Sequence, residues 1–168
     1  MKAIDCRRSV RNYDVKKVDD AKVEKILRAA MQAPSAVNQQ PWEFIVVRDK
    51  QTLKEIAQMS PYSKMIEKAD GIIITLGNTQ GLAASNMWEQ DMAAATQNML
   101  LEATELGLGT VWLGVSPLKE RMEFIASRFN LASHLLPFSI VVFGYPEKED
   151  ANKYIDRFDP TRVHYEKY

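Results

Sequence analysis

From about Met87 to Leu106 runs the longest helical pattern in the chain, and it constrains the fold more than any other stretch. Met92, Ala95, Met99, Ala103 and Leu106 mark one side, while Ala93, Ala94, Leu100 and Leu101 make the segment apolar nearly all round. A helix of that kind has to be central and buried, with other elements packed on several sides. Its small residues permit close approach by another helix, including one from a second subunit. Gly107-Leu108-Gly109 stops it. The methionines read as core or interface filler rather than as a ligand set.

Shorter elements surround this helix. Asp19 and Asp20 open an amphipathic helix in which Val23, Ile26, Leu27, Ala30 and Met31 recur on one face, and Pro34 ends it. Strands are predicted over residues 43–47, 72–77, 109–114 and 138–143 from their β-branched and apolar content. The run Ile72-Ile73-Ile74 does not alternate, so that strand is buried on both faces. Asp49 caps a short helix through Leu53 and Ile56, and Ser116-Pro117 opens another, with Met122, Ile125 and Phe129 inward. Strands alternating with helices point, taken alone, to a parallel βαβ sheet. Residues 147–168 are polar, with no helical stripe, yet include Tyr154, Phe158, Val163, Tyr165 and Tyr168. So many aromatics argue for an extended arm that packs on a partner subunit rather than a disordered tail. Nothing suggests a second domain, so residues 1–168 read as one.

Composition excludes several function classes. The chain balances 22 basic against 22 acidic residues, which argues against a nucleic-acid surface. The only cysteine, Cys6, permits no intramolecular disulfide and reads as a small buried residue. His134 and His164 have no metal-ligand spacing around them. No stretch approaches the roughly 20 apolar residues of a membrane span, and no apolar leader opens the chain. A cytoplasmic protein is expected. Neither a GxGxxG fingerprint ahead of a helix nor a P-loop is present.

Two motifs carry chemistry. Arg7-Arg8-Ser9-Val10-Arg11 places three guanidiniums within five residues. Their planar forks suit phosphate, and if the segment is helical Arg7 and Arg11 share a face. Further on, Ala33-Pro34-Ser35-Ala36-Val37-Asn38-Gln39-Gln40-Pro41-Trp42 is a loop of small and amide residues. Amide side chains can read the edge of a polar heterocycle, since each offers both donor and acceptor.

Together with Gly107-Leu108-Gly109-Thr110-Val111-Trp112-Leu113-Gly114 and Gly144-Tyr145-Pro146, these motifs resemble the nitroreductase family of FMN enzymes, in order and spacing, over essentially the whole chain. The resemblance implies an α+β three-layer sandwich, with helices flanking a mainly antiparallel sheet, and so overrides the parallel reading. It implies a homodimer with two FMN sites at the interface, in which each C-terminal arm extends the partner's sheet. Carried across by position, Arg7 and Arg11 would hold the FMN phosphate, and Arg8 and Ser9 would contact phosphate, ribityl chain or pyrimidine edge. Pro34, Ser35, Ala36 and Asn38 would arrive from the other subunit, and Leu113 and Gly114 would present backbone near the reactive edge. Arg157 is the late basic residue assigned to the phosphate, with Lys153 and Arg162 as rivals.

The implied activity is hydride transfer from NADH or NADPH through flavin N5 to nitroaromatics or quinones, by a ping-pong route. No protein catalytic residue and no metal are required. Dehalogenation, flavin breakdown or a non-catalytic FMN sensor are the alternatives within the same fold. The chain is shorter between Ser60 and Met92 than the larger members, which carry helices over the active site there.

Overall fold

The computed structural model describes residues 2–168. At its centre lie two antiparallel strands, β2 (Gly71–Asn78) and β4 (Leu135–Gly144). Outside them pair β1 (Trp42–Val47) and β3 (Gly109–Gly114), giving the antiparallel order β1-β2-β4-β3. The non-alternating isoleucine run explains why β2 is central. Ile72 and Ile74 face one apolar cluster and Ile73 the other, all fully buried. Each such side chain contributes about 1.5–3 kcal/mol on burial, so both faces must be covered.

Helices α2 (Asp20–Met31) and α4 (Trp88–Glu105) cover one face, where Ile26, Ala95, Met99 and Ala103 meet Ile73, Val141 and Phe143. On the other face α3 (Lys50–Ile56) and α5 (Lys119–Arg128) place Leu53, Ile56 and Ile125 against Ile72, Ile74, Ile140 and Val142. A short N-terminal helix, α1 (Lys2–Cys6), lies against α4. The result is an α+β three-layer sandwich, with the all-round apolar helix in the core as its pattern demands.

Several boundaries differ from the sequence reading, each for a local reason. The sheet is antiparallel, as the family resemblance implied and against the parallel arrangement that alternation alone suggested: helices and irregular crossovers here return the chain in the opposite sense. Strand β4 begins at Leu135 rather than Phe138, because a bulge between Thr75 and Leu76 leaves Phe138 as the extra residue and seats Pro137 opposite Leu76. Helix α5 begins at Lys119, so Pro117 lies in the preceding turn and not at the first helical position. Asp19 stands at the N-cap of α2 but makes no capping bond through its side chain, whereas Asp49 accepts from Thr52 N–H at 2.8 Å. The arginine segment is not helical. It follows the end of α1 and runs beside β3, with an isolated parallel bridge between Ser9 and Thr110.

That docking depends on a close approach. Val10 is buried, and a Cβ added to Gly109 would fall 2.7 Å from its side chain. Tyr13 holds the next turn, donating its hydroxyl to Val10 O at 2.7 Å and bridging to Pro146. Burial pushes the Tyr13 phenol pKa upward, so it remains a donor. Gly109→Ala is expected to cost about 1–3 kcal/mol through this overpacking. A Gly109→Ala protein as stable as the parent to chemical denaturation would show that the segment is not clamped there.

Candidate active site

The guanidinium cluster sits at the start of β3. Arg7 and Arg8 are partly buried; Ser9 and Arg11 are exposed. Burial first, then the charges of Arg8 and Arg157, hold Arg7 below the ordinary arginine pKa. The shift does not deprotonate it, since arginine keeps its proton in proteins. Its cause is the informative part: Arg157, 150 positions away in sequence, lies close enough to be felt at Arg7. None of Arg7, Arg8, Arg11 or Arg157 has a carboxylate partner among the described residues.

Arg8 donates to the carbonyls of Arg7 and, at 2.7 Å, Asp5, while its Nε is buried without a partner. The other such atom among the described residues is Thr110 Oγ1, in the residue that bridges Ser9. Asn152 ties the root of the C-terminal arm to this place. Its side chain accepts from Arg8 N–H at 3.3 Å and donates to Leu108 O at 2.9 Å. Of the rivals to Arg157, Arg162 is paired with Asp159 at 3.1 Å, and Lys153, like Arg157 itself, is exposed.

From the arginines the outer edge of β3 leads to Gly114. Val115 N–H donates to Phe138 O in β4, whereas Thr110 O accepts from Val10 N–H on the outer side. By the two-residue alternation of a ladder, the main-chain groups of Trp112 and Gly114 therefore face the outer edge. Those of Leu113 face β4 and are used in pairing. Among the described residues no strand lies on that edge, since the bridge at Thr110 is isolated. Over the five steps from Gly109 to Gly114 the edge extends about 16 Å. A Cβ at Gly114 would meet nothing within 4 Å, so no packing within the chain requires glycine there. Arg121 Nη1 donates to Gly114 O at 2.8 Å.

The amide loop lies elsewhere. Its residues lead into β1, at the same end of the sheet as Gly114 but on the opposite edge. Three strand spacings separate the edges, about 14 Å. Within one chain, Pro34, Ser35, Ala36 and Asn38 are therefore not brought together with the arginines. The loop is strained: Val37, Asn38 and Gln40 have φ of 46°, 57° and 47°. For a β-branched valine this is costly, of order 1–3 kcal/mol.

Asp91, in the first turn of α4 and only 4% exposed, holds the loop in place. Its two oxygens accept from Ala36 N–H at 2.9 Å and Gln39 Nε2 at 2.7 Å. Gln39 also exchanges hydrogen bonds with the Ala84 main chain. Sequence reasoning missed Asp91, Gln39, Asn152 and Arg121. Cys6 is partly buried and unpaired. No cluster of His, Cys, Asp and Glu suits a metal, and no helix is long and apolar enough to cross a membrane, among the described residues.

Known proteins share this fold. The model of the nitroreductase family matches residues 4–70 and 62–145. A Methanothermobacter thermautotrophicus protein with the provisional name NADH dehydrogenase/NAD(P)H nitroreductase is 42% identical over all of this chain and 87% of its own length. Among solved structures, an FMN-dependent nitroreductase from Clostridium difficile superposes with a TM-score of 0.89 at 28% identity, covering 99% of both chains. A Desulfovibrio desulfuricans protein, provisionally called a nitroreductase and crystallised with FMN, gives 0.85 at 30% identity, over 99% of this chain and 96% of that one. The chain belongs to the nitroreductase family.

Asp91→Ala removes both acceptors from a strained loop. It is expected to destabilise the protein by about 3 kcal/mol, since each hydrogen bond to a charged group is worth about 1.5–3 kcal/mol. Faster proteolytic cleavage within residues 35–40 should accompany the loss, and an unchanged cleavage rate would remove Asp91 from this role.

Proposed function

We propose that the protein transfers hydride from NADH or NADPH through bound FMN to flat, electron-poor acceptors such as nitroaromatics and quinones, working as a homodimer. Family membership places it among FMN-dependent NAD(P)H oxidoreductases. The observation carrying the finer reading is the clustering of Arg7, Arg8 and Arg157, without counter-charge, at one end of an open strand edge that ends at Gly114. A phosphate fits the first end, supplying the acceptor that Arg8 Nε lacks in the protein. A ring fits the second, where the absent side chain leaves room for a planar group.

When bound, FMN supplies the redox chemistry, taking up hydride at N5 and passing the electron pair to the acceptor. The residues of this chain bind and orient it. Arg7, Arg8 and Arg157 grip the phosphate, with Arg11 and Ser9 beside them, each charge-assisted bond contributing about 1.5–3 kcal/mol. Gly114 offers an outward N–H to the reactive edge of the ring. Leu113 supports this residue from within the ladder.

A second copy completes the site, bringing Pro34, Ser35, Ala36 and Asn38 on a loop that Asp91 keeps projecting. The same copy explains why the arm leaves Tyr154, Phe158 and Tyr165 64%, 75% and 84% exposed. Between α1, α2 and α4 runs a groove of about 850 Å³, with Ala29 and Leu101 on its floor and Lys25, Arg28 and Glu105 on its rim. A helix of the second copy fits this face of α4.

Purified protein should show flavin absorption that bleaches on anaerobic addition of NADH or NADPH. Colourless protein that takes up no added FMN would overturn the reading. With a quinone acceptor, initial-velocity plots at several NADH concentrations should be parallel, because one site serves both half-reactions; intersecting lines would contradict the shared site. Arg7→Ala combined with Arg157→Ala should leave a folded protein with FMN affinity lowered on the order of a hundredfold. Unchanged affinity in fluorescence titration would remove these two residues from the phosphate site.

A further inference from the structure

Arg121 is a partly buried cation in the first turn of α5, with no carboxylate partner among the described residues. Its side-chain hydrogen bond goes to a main-chain carbonyl, that of Gly114, at 2.8 Å. A partly buried guanidinium that lacks a counter-charge gives up part of its hydration without an ion pair in return. Capping the last outward carbonyl of an edge strand does not require a guanidinium, because water reaches such a group. Position supplies the reason. The Gly114 N–H lies on the same side of the strand as its carbonyl, so the guanidinium and the unpaired amide stand side by side at the end of the open edge.

The peptide beyond is also immobilised. Val115 and Ser116 N–H both donate to Phe138 O, at 3.1 and 2.9 Å, and Ser116 Oγ donates to Glu89 in the first turn of α4. Gly114 is thus held from both sides, by Arg121 on the outer edge and by the β4 ladder on the inner one.

We propose that Arg121 is a positioning residue of the redox site. It fixes the Gly114 peptide beside the reactive edge and adds a positive charge there, so that the negative charge gained by the ring on flavin reduction lies near a fixed cation. This inference rests on the FMN reading given above. Hydride delivery adds two electrons and one proton's worth of hydrogen to the ring, leaving one extra negative charge. A nearby cation favours the reduced form over the oxidised one. Arg121 therefore acts on the reduction potential and not on the grip of the oxidised cofactor, which belongs to the arginines at the far end of the edge.

The test compares the parent, Arg121→Gln and Arg121→Lys as dimeric, FMN-loaded proteins. The readouts are FMN dissociation constant by fluorescence and midpoint potential by equilibration with a reference dye. Arg121→Gln should weaken reduced relative to oxidised flavin binding about tenfold, which for a two-electron couple is a fall of about 30 mV. The dissociation constant of oxidised FMN should stay within about twofold of the parent value, and Arg121→Lys should recover part of the potential by restoring the charge. Equal potentials in all three flavin-loaded proteins would overturn the assignment of Arg121 while leaving the FMN reading intact. A parent protein that binds no FMN would overturn both. Should Arg121→Gln fail to fold, Arg121→Met decides: a potential equal to that of the parent, at an unchanged dissociation constant, rejects the positioning role, because that variant also removes the charge.

Discussion

Pairing of β2 with β4 is the interaction on which the rest of the molecule depends. Ile72, Ile73, Ile74, Ile140, Val141 and Val142 are fully buried, so these strands present apolar surface to both sides. One helical layer could not cover them. The chain supplies two, with α2 and α4 on one face and α3 and α5 on the other. Since the central strands lie in the middle of a four-stranded sheet, β1 and β3 become edges. An edge is ordinarily a liability, because its unpaired main-chain groups invite further strands. Here the outer edge of β3 carries the polar features of the candidate site.

The site is accordingly built more from backbone than from side chains. Arginines mark one end, glycine the other, and the intervening edge offers main-chain groups at a fixed period. The close contact between Val10 and Gly109 decides where the arginines sit, and Asn152 brings the root of the arm, with Arg157 beyond it, to the same place. The amide loop follows the opposite logic. It is strained, exposed at Val37 and held by one buried carboxylate, an arrangement suited to reaching beyond its own chain. Strain of this kind persists only where the surroundings over-determine it, and Asp91 with Gln39 does so here.

Much of this was legible in residue order. The isoleucine run identified a strand buried on both faces, and the all-round apolar pattern identified a buried central helix. Both conclusions depend only on the local period of side chains. Asp49 was read correctly as a cap, being followed by a helix that it could reach. Asp19 does stand at the N-cap of α2, but its side chain forms no capping bond. Asp91 was invisible in its role because its partners Ala36 and Gln39 lie 55 and 52 residues away. Arg121 sits seven residues from Gly114, yet only the turn between β3 and α5 aims its side chain back.

By itself, the sequence determined the four strands and the helices α2 to α5, which of them must be buried, and which short motifs could serve a phosphate and a ring, while α1 was not read from it. It also carried the likeness to the nitroreductase family. Local pattern could not decide strand direction, since hydrophobic period is the same for parallel and antiparallel neighbours; the likeness implied an antiparallel sheet, and the tertiary structure has one. Only the tertiary structure decided that Arg7–Arg11 runs extended beside β3, because the docking of Val10 over Gly109 outweighs any local preference for helix. It decided, finally, that arginines and amide loop lie on opposite edges of the sheet, because their separation across β1, β2, β4 and β3 arises from strand order and is written in no local stretch of the chain.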